Sequence, residues 1–126
     1  MRLVDTSAWL EWLGDTVLGR SIGPELPKSD EWVVPTIVQY ELARWLAREV
    51  SEDAADETIA FSTQCVVTPL DTRLATRAAE IARDHSLPMA DAIVYATAVE
   101  VGADVLTCDA RFAELPRVHY LPKGTR

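Results

Sequence analysis

Lysine is scarce in this chain. Only Lys28 and Lys123 accompany the arginines, and the twelve basic residues are outnumbered by twenty Asp and Glu, for a net charge of −8. That balance argues against a protein that grips long nucleic acid through a broad basic face, because such affinity comes from neutralising many phosphates. It is compatible with an enzyme whose bound cations supply positive charge locally. Where phosphate is contacted, the near-exclusive use of arginine predicts planar, bidentate contacts. Cysteine is equally sparse. Cys65 and Cys108 both lie in apolar, strand-like segments, which predicts buried free thiols and excludes a disulfide framework. His85 and His119 are far apart and have no His or Cys companions at zinc spacing, so they read as helix-end or surface residues. No apolar run approaches the roughly 20 residues of a membrane span, and Met1 leads straight into a strand pattern with no signal-peptide layout, from which we expect a cytoplasmic protein.

Internal repeats, low-complexity tracts and long linkers are also missing, and a length of 126 residues fits one domain with one core. What remains is an alternation of short apolar runs with helical patterns, the mark of an α/β chain with a parallel sheet. Leu3-Val4, Trp32-Val33-Val34, Cys65-Val66-Val67, Ala103 to Thr107 and Val118-His119-Tyr120 read as strands. Between them, helices are expected from Ser7 to Leu13, weakly over Asp15 to Leu26, from Thr36 to about Val50, from Ser51 to Ser62, from Asp71 to His85, from Asp91 to Gly102, and briefly from Asp109 to Leu115. Thr36 and Gln39 form a T-x-x-Q capping box. Ser51 and Asp71 read as N-caps.

Four acids occupy matching places in this alternation. Asp5 ends the first strand, Glu41 lies early in the helix after the second, Asp91 opens an almost wholly apolar helix, and Asp109 follows the fourth strand. In open α/β sheets, ligands bind outside the carboxyl ends of the strands, so these positions predict one shared acidic pocket. Taken singly each acid has a plainer reading, since Asp5, Asp91 and Asp109 can all cap helices. Glu41 is harder to dismiss, because it sits among Val38, Leu42 and Trp45 and faces partly inward, although Arg44 is near enough in helical spacing to pair with it. Hydrolysing a phosphodiester needs a strong nucleophile and neutralisation of growing charge on oxygen, which divalent cations held by carboxylates supply. A receiver-like signalling module would also use an acidic pocket, but it wants paired acids after the first strand and a late lysine near the pocket. Here Thr6 and Ser7 follow Asp5, and Lys123 is in the polar tail.

The segments Met1-Arg2-Leu3-Val4-Asp5-Thr6-Ser7, Tyr40-Glu41-Leu42, Leu87-Pro88-Met89-Ala90-Asp91-Ala92-Ile93-Val94-Tyr95-Ala96-Thr97-Ala98 and Leu106-Thr107-Cys108-Asp109-Ala110-Arg111-Phe112 resemble, in order and spacing, the motifs of PIN-domain ribonucleases, most closely the VapC-type toxins of toxin–antitoxin pairs. The resemblance covers essentially the whole chain, residues 1–126 as one PIN domain. It implies a three-layer α/β/α sandwich around a short parallel sheet and a metal-dependent endoribonuclease using Mg²⁺ or Mn²⁺. By this likeness Asp5, Glu41, Asp91 and Asp109 are the catalytic set. Asp5 and Asp91 would touch metal directly, Asp109 would ligate a second ion or tune the first, and Glu41 would orient the attacking water. Ser7 and Thr107 would hold a carboxylate in place by hydrogen bonding. The likeness further implies a homodimer blocked by a small cognate antitoxin. Trp9, Leu10, Trp12 and Leu13 either offer it an apolar face larger than one short helix can bury, or two of the four simply pack in the core. One departure stands out: where many relatives carry a further acid two residues after the last, this chain has Arg111. Related readings are a PIN nuclease in RNA maturation without an antitoxin, and a PIN scaffold that only binds a partner.

Overall fold

A computed structural model describes residues 1–123; the last three residues of the expected 1–126 domain lie outside the described residues. Five strands, β1 (Arg2–Val4), β2 (Trp32–Pro35), β3 (Val66–Thr68), β4 (Asp104–Thr107) and β5 (Val118–Tyr120), form one all-parallel sheet in the order β3-β2-β1-β4-β5. Apart from the Arg2–Asp104 pair at the amino end, the three inner strands are buried on both faces, as parallel strands covered on both sides must be, whereas β3 and β5 at the edges are only partly buried. Register is set by Leu3, which lies beside Val33 on one side and Val105 on the other.

Among the described residues six helices flank the sheet in an α/β/α sandwich: α1 (Thr6–Leu13), α2 (Val17–Ile22), α3 (Thr36–Glu49), α4 (Glu52–Ser62), α5 (Thr72–His85) and α6 (Met89–Val101). From β1 the chain steps to β2 and then β3; from β3 it returns across β1 to β4 and β5. Strand order therefore reverses between β1 and β4, and the crevice at that switch point is where a ligand fits an open α/β sheet.

Helix ends follow the sequence in most places. Ser51 and Asp71 accept hydrogen bonds from Ala54 N and Leu74 N at 3.0 and 2.9 Å, capping α4 and α5 as expected. Helix α5 buries Leu74, Ala78 and Ile81 and turns its charges outward, whereas α6 buries every residue from Ala92 to Ala98, packed against α5, α3 and the sheet. Gly102 ends α6 at φ +70, a left-handed cap that favours glycine. Gly19 has a different constraint, because a Cβ there would lie 2.0 Å from Glu11 O, so α2 can approach α1 only without one.

Three local expectations need correction. The Thr36–Gln39 capping box does not form: Pro35 is the N-cap of α3, Thr36 Oγ1 accepts instead from Leu70 N, and Gln39 Nε2 donates to Ser62 Oγ. Tertiary partners on the chain after β3 and on α4 take both side chains away from their local roles. Helix α6 starts at Met89, two residues early, because Pro88, with ψ 160, takes the non-helical backbone of an N-cap and the helix follows at once. The expected helix from Asp109 to Leu115 shrinks to a 3₁₀ turn at Ala110–Phe112.

For the four apolar residues of α1, the fold takes the core-packing alternative for the two tryptophans. Trp9 is fully buried and Trp12 half-buried, in an aromatic cluster with Trp32 and Phe61 at ring separations of 4.8–6.2 Å. Only Leu10 and Leu13 reach an open groove of about 300 Å³ against Trp45, Leu46 and Val50 of the α3 end.

Candidate active site

The carboxyl ends of β1 and β4 are tied together by Asp5 N donating to Leu106 O at 2.9 Å, which sets the Asp5 side chain beside Thr107. Asp5 is 5% exposed, and although it is the N-cap residue of α1 it caps nothing with its side chain. Its Oδ2 instead accepts from Ser7 Oγ at 2.9 Å and Thr107 Oγ1 at 2.8 Å. Each hydroxyl has one proton to give, and both go to Asp5. Their lone pairs in turn receive Cys108 N and Asp109 N, each at 3.0 Å. The two hydroxyls thus fix the Asp5 carboxylate and relay that order to the backbone carrying Asp109. Burial pushes the Asp5 carboxyl above the usual range, the Thr107 and Ser7 hydrogen bonds oppose it, and the Glu41 charge adds to the rise.

Asp91 sits on the third residue of α6, in the first turn, where free amides and the helix dipole favour an anion. Its side chain is only 15% exposed, and its buried Oδ2 has no hydrogen-bond partner. Burial pushes this carboxyl up to about 6, and the charges on Asp109, Asp5 and Glu41 push the same way. All four expected acids therefore share one electrostatic neighbourhood.

Asp109 Oδ1 accepts from Arg111 N at 2.9 Å, starting the 3₁₀ turn. Glu41 is half-buried and held by the Thr6 hydroxyl, which donates to its Oε1 at 2.6 Å. The suggested Arg44 partner is not used, because Arg44 Nη1 turns to Tyr40 Oη at 3.3 Å. Cys108, buried beside the cluster, has its thiol pushed up to about 11 by burial and by the Glu11 and Asp5 charges, so it is a neutral packing group and no nucleophile.

Arg111 emerges with a role the sequence only hinted at. Its Nη1 lies 3.6 Å from Asp91 Oδ2 and 3.6 Å from Asp109 Oδ2, beyond hydrogen-bonding distance from either yet close enough to attract both. The signal was present in its spacing two residues after Asp109. Its reach to Asp91 depended on where the turn at 110–112 placed it.

The donor set is all oxygen, which suits Mg²⁺ or Mn²⁺ rather than zinc. Among the described residues no three acidic, His or Cys side chains converge closely enough to hold an ion as they stand. A magnesium ion usually takes only one or two carboxylates and completes its shell with water. The partnerless Asp91 Oδ2 beside the ordered Asp5 carboxylate meets that lower requirement.

An open, all-parallel α/β sheet with carboxylates gathered at its switch point defines the class. Residues 2–118 match the family model of the PIN domain, and the chain belongs to that family. Its fold is shared by several solved structures. One is a toxin–antitoxin complex from Klebsiella pneumoniae, 18% identical over 96% of this chain and 100% of that one, with a TM-score of 0.81. Another is Mycobacterium tuberculosis VapC20, a sarcin–ricin loop cleaving toxin, at 21% identity over 97% and 100% with a TM-score of 0.78. A third is the DNA-bound VapBC of Salmonella typhimurium, at 15% identity over 96% of both chains with a TM-score of 0.70. At these identities the likeness establishes the fold. No curated protein matches the sequence at a significant level.

Proposed function

We propose that the chain, read as one PIN domain over residues 1–126, is a metal-dependent endoribonuclease and the toxin of a VapBC-type toxin–antitoxin pair, working in the cytoplasm with Mg²⁺ or Mn²⁺. The observation that carries this reading is the buried, partnerless Asp91 Oδ2 among the charges of Asp5, Glu41 and Asp109. A buried carboxylate oxygen without a hydrogen bond is costly; Arg111 at 3.6 Å offsets part of that cost, and a divalent ion relieves the rest. No helix among the described residues is long and apolar enough to cross a membrane.

In this reading Asp5 and Asp91 hold the metal and Asp109 ligates a second ion or tunes the first. When bound, the metal supplies an activated water and neutralises charge on the phosphoryl oxygens. Ser7 and Thr107 keep the Asp5 carboxylate in one orientation, and Glu41, fixed by Thr6, accepts a hydrogen bond from the attacking water and orients it. The RNA-cleaving toxin among the structural neighbours and the antitoxin-bound complexes beside it support both halves of the proposal. The groove of Leu10, Leu13, Trp45, Leu46 and Val50 is suited to an apolar helix of the antitoxin, and a homodimer is expected.

Arg111 favours a second reading, a PIN scaffold without catalysis, because it already sets one positive charge between two of the acids. The two readings part on one experiment. Purified, antitoxin-free protein is incubated with total cellular RNA and Mg²⁺ or Mn²⁺, with and without chelator, beside Asp91→Asn. Discrete fragments that require metal and vanish in the variant support the nuclease. Intact RNA under every metal, from folded protein free of any partner, transfers the case to the scaffold. A nuclease acting in RNA maturation would be distinguished from a toxin by the lack of a small antitoxin gene beside its own.

A further inference from the structure

Helix α3 carries, on the side that bears Glu41, a stripe of side chains that the fold does not use. Tyr40 is 57% exposed, Trp45 lies beside it at 38%, and the side chains of Arg44 and Arg48 project into solvent. Together with Glu41 they line an open recess of about 340 Å³. Tyr40, Arg44 and Arg48 follow one another at four-residue steps, about 6 Å apart along the helix axis. Arg44 has no carboxylate partner among the described residues and rests on the Tyr40 hydroxyl. Arg48 pairs only with its chain neighbour Glu49, at 2.8 Å on the surface, a contact of little energetic weight.

Apart from the Arg44–Tyr40 and Arg48–Glu49 contacts, these side chains face solvent and the fold makes no use of them. Two arginines and an exposed ring stand in line on a chain of net charge −8, adjoining the carboxylate pocket. The geometry points to a track for single-stranded RNA: Tyr40 as a stacking platform for one base, and Arg44 and Arg48 as contacts to successive phosphates on the way to the Glu41 edge of the site. A single strand fits because its bases are free to stack and its backbone can follow one helix, whereas a duplex demands a wider basic face than this chain has. The inference rests on the nuclease reading and adds to it the surface that positions the substrate.

The test measures binding of a fluorescent single-stranded RNA of mixed sequence to the full chain carrying Asp91→Asn, so that the RNA survives, across a salt series. Arg44→Gln with Arg48→Gln is expected to weaken binding at least roughly tenfold and to flatten the salt dependence by about 1.4 in log–log slope, at roughly 0.7 per phosphate contact. Tyr40→Ala is expected to lose at least about fivefold, and Tyr40→Phe, which keeps the ring, to lose almost nothing. In the otherwise unaltered chain, the same arginine changes should raise KM and leave kcat nearly constant. Unchanged affinity and slope in the arginine variant, while the unaltered chain cleaves RNA, overturns the track, assigns the stripe to a protein partner and leaves the nuclease reading standing. Failure of the unaltered chain both to bind and to cleave RNA with metal overturns the track and the nuclease reading together.

Discussion

The two ends of the central strands carry the same kinds of residue in opposite electrostatic states. At the amino end, Arg2 of β1 donates through Nε and Nη2 to both carboxylate oxygens of Asp104 on β4, at 2.9 and 3.0 Å, and through Nη1 to Glu25 O and Oε1. The fork geometry satisfies donor and acceptor together, holds the Asp104 carboxyl below the usual range and raises Arg2. At the carboxyl end, the same two strands deliver Asp5 and Asp109 into a group of four acids whose nearest cation, Arg111, stays 3.6 Å from two of them. There the Asp5 and Asp91 carboxyls are pushed up. At one end the acids are hydrogen-bonded to a cation and hold the sheet together; at the other the Arg111 guanidinium reaches no acid within hydrogen-bonding distance, as expected where a ligand must complete the site.

The contrast can be broken first at the carboxyl end. Asp5→Asn or Asp91→Asn is expected to reduce metal-dependent RNA cleavage by at least about 100-fold, roughly 3 kcal/mol of barrier, while circular dichroism and thermal melting show an intact fold. Substantial activity in either variant would remove that residue from the metal site. At the amino end the expectation inverts. Arg2→Ala strands Asp104 and should cost about 2 kcal/mol of stability in denaturant titrations, with cleavage per folded molecule unchanged.

Acidity separates the ends next. The Asp91 carboxyl, at about 6 in the folded chain against an ordinary 3.8, holds its proton more tightly folded than unfolded. In chelator, stability should therefore rise as the pH falls from about 6 to about 4, by about 1–2 kcal/mol after solvent screening, and Asp91→Asn should lose that rise in melts across the same window. Asp104 acts with the opposite sign: its lowered carboxyl stabilises fully above the ordinary carboxylate range, and the contribution disappears as pH falls through its folded value. The smallest effect concerns Arg111. Removing its charge with Arg111→Ala should tighten Mn²⁺ binding by about three- to tenfold in calorimetry, since a competing cation leaves two acids. Weaker binding in that variant would mean that Arg111 organises the site instead of competing for it.

Much of this arrangement was legible in the chain. The apolar runs at Leu3-Val4, Trp32-Val34 and Val105-Leu106 became the inner strands, and the addresses of Asp5, Glu41, Asp91 and Asp109 followed from the rule that parallel sheets bind ligands at their carboxyl edge. Ser7 and Thr107 were expected to hold a carboxylate, and both hydroxyls meet on Asp5. Less legible were side chains with two suitors. Thr36 and Gln39 matched a local capping pattern, but Leu70 and Ser62, 34 and 23 residues away, captured them. Glu41 had Arg44 at helical spacing and took Thr6 from another helix instead. Of the four apolar residues of α1, the tryptophans turned into an aromatic cluster with Trp32 and Phe61, whose proximity no local pattern encodes.

Sequence by itself determined the period of each element, the alternation that makes a parallel α/β sheet, and the strand-end placement of Asp5 and Asp109, because these depend on short-range propensity and on where hydrophobic runs stop. Tertiary structure alone decided which partner each polar side chain took, which tryptophans went inside, and that Arg111 would stand between Asp91 and Asp109. Those outcomes depend on distances between segments up to a hundred residues apart, set only when β1 and β4 pair and α6 packs beneath the site.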